Sequence, residues 1–254
     1  MRGRWVALAW SAALLLGPLG VLWAWTDPPM LPRAVEGRPS RAALALRDRV
    51  VPFQMWGTAL FTEPQLGRAY GEVRYFGQRA PGEDWEAEVT RALEDLLRRH
   101  ERVDLFLVSH SNRYHRWVER LDPALRARLG LVYNTGCEDL DQSGRWIELG
   151  ADAYVGHPGL SASPVFYFYF LRRWTRGAPL DEAVGQSNAQ MEAALGRFLP
   201  WVPRFVLAGL AGPPFEGESE AAYVARLEAL RDPALIYLDS RAERAGEGGL
   251  GLGR

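Results

Sequence analysis

The chain contains no lysine, one cysteine and four histidines in 254 residues. A single cysteine excludes an intrachain disulfide, so cysteine usage says nothing about redox compartment. All 30 basic residues are arginine, set against 31 acidic ones, and the formal net charge is −1. No global field therefore favours nucleic acid or an acidic substrate, and no nucleic-acid partner is expected. The missing lysine reads as coding bias and carries no functional meaning. A Gly-rich phosphate loop, a Walker pattern, a compact metal-ligand spacing and an internal repeat are also absent. No cofactor and no resident metal are expected. The 48% hydrophobic content fits a globular core, and the length allows one substantial domain with appendages.

The amino terminus holds the longest apolar run. After Arg2 and Arg4, the 21 residues from Trp5 to Trp25 carry no charge. As a helix this run spans about 30 Å, the thickness of a hydrocarbon core. Trp5, Trp23 and Trp25 stand at its ends, where aromatic rings favour the membrane interface. A cleaved signal peptide is the competing reading, but its apolar region runs only about 7–15 residues and ends in a small-x-small site. Ala24-Trp25-Thr26 matches that site poorly. The expectation is a membrane anchor over residues 5–25 with the domain outside the cytoplasm, the alternative being a secreted or periplasmic protein.

Residues 26–40, "TDPPMLPRAVEGRPS", are rich in turn formers and read as a linker. The Gly-rich stretch 240–254 reads as a flexible tail, which leaves one domain over 41–239. Within it strands and helices alternate. Strands are expected over 49–57, 71–77, 103–110, 130–136, 153–159 and, as an edge, 201–209. Helices are expected over 83–100, over 113–129 with a break at Asp122-Pro123, from Ser163-Pro164 to a stop at Gly177, and from Pro179 onward. Alternation with strongly apolar strands implies a mainly parallel sheet covered by helices on both faces.

In such sheets ligands bind beyond the carboxyl ends of the strands. The run "DLFLVSHSN" ends at His110, "GLVYNTGCED" ends at Cys137, and "AYVGHPG" ends at His157. All three should emerge on one rim. A lone cysteine is most often a buried small hydrophobe; an imidazole on a neighbouring strand end changes that, because it can take the thiol proton and make a nucleophile. Backbone amides around Gly136 and Cys137, and after His110, are candidate oxyanion donors. His157 is read either as a structural rim histidine or as part of a substrate pocket. Glu138, Asp139 and Asp141 are read as a solvated loop or as an acidic subsite for Arg or Lys substrates, with Glu138 and Asp139 the candidates for a substrate pocket. His115 is placed on a solvated helix and His100 at a helix end.

The order of these elements resembles the caspase-like fold of clan CD cysteine peptidases, most closely its bacterial CHAT-type branch. The resemblance covers about 104–198. It rests on Ser109-His110-Ser111, Thr135-Gly136-Cys137-Glu138, the Gly150–Val155 segment, the helix "FYFYFLRRW", Gly177, and the helix from Leu180 through Ala189. It implies a three-layer caspase-like sandwich, with His110 as general base and Cys137 as nucleophile toward a peptide or protein substrate. It further implies an oxyanion hole built from the amides of Cys137 and Ser111. Ser111 stands where that family usually has glycine, which leaves open a caspase-like binding or regulatory module without turnover. A metal-dependent hydrolase using Cys137, His110, His157 and a nearby carboxylate, and a flavodoxin-like or other small-molecule enzyme, are further alternatives.

Overall fold

A computed structural model describes residues 40–48, 58, 62–78, 84–109, 113–159, 163–202, 207, 214, 217–229, 232 and 241–252, all inside a compact unit spanning Ala34–Arg254. The strands are β1 (Arg41–Arg47), β2 (Glu72–Gly77), β3 (Arg102–Val108), β4 (Leu129–Asn134), β5 (Ala153–Gly156) and β6 (Glu243–Gly246). Between them run α1 (Glu63–Ala69), α2 (Glu86–Arg99), α3 (Tyr114–Glu119), α4 (Pro123–Arg126), α5 (Ser143–Glu148), α6 (Ser163–Trp174), α7 (Leu180–Phe198) and α8 (Glu220–Ala229).

The strands form one sheet in the order β2-β1-β3-β4-β5-β6. The first five are parallel, and β6 closes the edge antiparallel to β5. Because β4 is buried along its whole length, its sequence is a nearly unbroken apolar run, as expected for a strand covered on both faces. On one face Phe106, Tyr133 and Val155 pack with Phe166, Phe170 and Trp174 of α6 and with the apolar stripe of α7. On the other, Leu44, Leu105 and Val132 pack with Leu93 and Leu96 of α2, Trp117 of α3 and Trp146 of α5. The chain is therefore an α/β three-layer sandwich.

A polar knot sits inside this core. Asp104 on β3 is 0% exposed, and its carboxylate accepts from Arg41 Nη2 at 2.9 and 3.1 Å and from Tyr70 Oη at 2.6 Å. It also accepts from the Leu131 amide at 2.9 Å, and the β3–β4 register shifts between Val103 and Leu105. Trp174 Nε1 in turn donates to Tyr70 Oη at 2.6 Å. A buried carboxylate needs this many donors to offset the water it has lost. Gly130 makes room for it: a Cβ there would lie 2.3 Å from Asp104 Oδ1.

Several expectations need correction. The first strand is β1, Arg41–Arg47; the expected strand over 49–57 lies outside the described residues. Of the stretch 240–254, the described residues 241–252 are not a free tail, because Glu243–Gly246 pairs with β5 and Leu250 and Leu252 are buried. The Leu180 amide donates to Leu250 O at 2.7 Å, which fastens this segment to the start of α7. Of the expected edge strand 201–209, Trp201 ends a short 3-10 turn and Leu207 is helical. Among the described residues no helix is long and apolar enough to cross a membrane; residues 5–25 and, apart from Ser40, the linker lie outside them.

Candidate functional site

The site is built on the carboxyl ends of β1, β3, β4 and β5. The sheet order reverses direction between β1 and β3, which makes the crevice above their ends the topological switch point. β3 and β4 are adjacent and parallel, so the loops that follow them leave the sheet on the same rim. The β3 loop carries His110 and Ser111, both outside the described residues, and the β4 loop carries Cys137.

Asn134, 1% exposed at the end of β4, fastens these two loops together. Its Oδ1 accepts from Ser109 Oγ at 3.0 Å and from the Gly136 amide at 3.2 Å. The Thr135 amide donates to Leu107 O at 2.8 Å, extending the ladder by one residue. Gly136 is pressed against the β3 exit: a Cβ there would lie 3.2 Å from Ser109 O. The Gly136 amide is engaged by Asn134 and the Glu138 amide by Gly159 O, whereas the Cys137 amide has no acceptor among the described residues.

Cys137 itself is half-buried. Glu138 follows with φ 54°, a left-handed conformation uncommon for a residue with a side chain. That turn leaves Glu138 exposed and sends Asp139 inward. Asp139 is 0% exposed, which overturns its expected place in a solvated loop. Its amide donates to His157 O at 3.1 Å, while its Oδ1 accepts from the His157 amide at 2.7 Å. Tyr154 Oη donates to Asp139 O at 2.8 Å. Burial pushes the Asp139 carboxyl up to about 7, against the lowering effect of the surrounding amides of His157, Asp139 and Gly136. Its Oδ2 is buried without a hydrogen-bond partner.

His157 is fully buried as well. Nε2 lies 3.1 Å from Tyr133 Oη, and the ring meets Phe166 edge-on at 5.4 Å. These contacts hold the ring among aromatic side chains of the core. His100 caps α2 and contacts Glu72 at 3.1 Å, and His115 lies half-buried on α3.

One buried rim carboxylate escaped the sequence reading. Asp48, just past β1, is 6% exposed, donates its amide to Val108 O at 2.9 Å, and receives Tyr114 Oη and Arg113 on its side chain. The signal for it was an aspartate directly after an apolar strand, but that strand was itself missed. Among the described residues no group of three or more His, Cys, Asp or Glu side chains is arranged to hold a metal ion. No family model matches the chain, and no curated protein matches it.

Proposed function

We propose that this protein is a caspase-like cysteine endopeptidase, tethered to a membrane through residues 5–25 or exported, with Cys137 as nucleophile and His110 as general base. The observation that carries this reading is the adjacency of β3 and β4, with Ser109 bonded to Asn134 at 3.0 Å beside the half-buried Cys137. In the proposed step the imidazole takes the thiol proton and sulfur attacks the peptide carbonyl. The developing oxyanion falls to the Cys137 and Ser111 amides. The C–N bond then breaks, the imidazolium returns its proton to the leaving amine, and water hydrolyses the thioester with the imidazole as base.

The test is hydrolysis of peptide libraries by the full chain. Cleavage that vanishes in Cys137→Ala supports the reading, and cleavage that survives this change removes it. A second reading, a caspase-like module that binds without turnover, is favoured by Ser111 at the oxyanion position.

A further inference from the structure

Residues 241–252 close the β5 edge of the sheet with little apolar surface of their own. Ala242, Leu250 and Leu252 are buried, while β6 alternates between half-buried and exposed positions. Polar contacts do most of the holding. Ala242 exchanges two bonds with the Asn188 side chain of α7, at 2.9 and 2.8 Å. The Leu180 and Asp181 amides donate to Leu250 O at 2.7 Å and to Gly248 O at 3.1 Å, and the Glu247 amide donates to Asp152 O at 2.9 Å. A segment with so few buried apolar contacts and a glycine-rich backbone opens before the core does.

This labile segment supports one side of the candidate site. The β4–β5 ladder runs from Leu131–Ala153 to Tyr133–Val155, whereas β6 pairs one residue further, Glu243 with Gly156. Directly beyond Gly156, the His157 carbonyl accepts from the Asp139 and Leu140 amides at 3.1 and 3.2 Å, and the His157 amide donates to Asp139 Oδ1 at 2.7 Å. The fit is close, since a Cβ on Gly156 would lie 2.7 Å from that same oxygen. From β6 through Gly156 and His157 to the Cys137 loop the contacts are continuous.

We propose that residues 241–252 are a displaceable strap whose docking on β5 and α7 holds the Cys137 loop, so that undocking loosens this rim while the rest of the sheet stays folded. This rests on the reading of the Cys137 loop as the working edge of the site. The strap is then the two-state element through which a distant event reaches that loop.

Hydrogen exchange of the full-length protein reads both ends without any substrate. The Leu180 and Asp181 amides report the strap, and the Asp139 and Leu140 amides report the loop. Gly246 has φ 85°, and a Cβ there would collide with the Asp152 carbonyl, so Gly246→Val should force the strap off. Protection should fall by about tenfold or more at all four amides, with β3 amides unchanged. Asn188→Ala, which removes both bonds to Ala242, should act in the same direction. Loss of protection at Leu180 and Asp181 with Asp139 and Leu140 unaffected overturns the proposal, as does a strap still protected in Gly246→Val. If neither variant folds, wild-type exchange decides: the four amides should share one opening free energy below that of β3, and separate values overturn the proposal. Peptide cleavage with uncoupled exchange defeats this inference alone. Coupled exchange in a protein that cleaves no peptide defeats only the peptidase reading.

Discussion

Ser109 Oγ and Asn134 Oδ1 stand 3.0 Å apart, and this bond joins the exits of two neighbouring parallel strands. The hydroxyl of Ser109, the residue before His110, and the amide of Gly136, the residue before Cys137, share Asn134 Oδ1 as acceptor. Asn134 thus links the two loops that the proposed chemistry needs.

Removing that acceptor should be costly. Asn134→Ala removes the acceptor that a buried hydroxyl and a buried amide share, and a buried polar group that loses its partner costs about 1–3 kcal/mol. Urea denaturation of the variant should show a loss in this range or above. Peptide cleavage should fall further than the unfolded fraction accounts for, because the loops lose their common register.

Asp104 makes a second, independent prediction at the core. Asp104→Ala leaves Arg41 buried without its carboxylate and the Leu131 amide without its acceptor. Unfolding free energy should drop by about 3–5 kcal/mol, with an early thermal melt as the readout. Rim chemistry should persist in the fraction that stays folded.

What was readable in the sequence follows from these structures. β3, β4 and α6 announced themselves because strands buried on both faces and an aromatic helix leave dense apolar runs. β1 did not, because "RAALALR" is made of helix-favouring residues whose strand conformation is imposed by pairing with β2 and β3. The carboxy-terminal strand was hidden because "ERAG" carries no apolar alternation, and the glycines that follow it disguised the burial of Leu250 and Leu252. The strand-end positions of Cys137 and His157 were legible from the apolar runs before them. The burial of Asp139 was not: "CEDLD" looks solvated, and only the left-handed turn at Glu138 directs that one acid inward.

Asp139 also predicts the pH dependence of stability. Its folded-state value, about 7, lies above the ordinary 3.8. The folded state therefore holds the proton more tightly, and stability from this group is full below about 4 and lost as pH rises to about 7. Glu72 acts in the opposite sense: its hydrogen bond to Arg99 holds it down at about 2, so its contribution is lost only as pH falls from about 4.5 toward 2. Urea midpoints measured from pH 5 to 8 should decline in the wild type and stay flatter in Asp139→Asn. Equal slopes would remove the buried carboxyl as the cause.

The central claim is that Cys137 and His110 act as one unit on peptide carbonyls. Its most direct measurement is intact-mass and peptide-map analysis of the full-length protein after treatment with electrophilic peptide probes bearing Arg, Lys or Asp at the cleavage position. The account predicts one adduct, on Cys137, absent in Cys137→Ala and severely reduced in His110→Ala. Labelling should be faster in Ser111→Gly by up to a factor of about 10² to 10³, the value of one restored oxyanion donor. No adduct in either the wild type or Ser111→Gly would contradict the account and leave a caspase-like module without turnover.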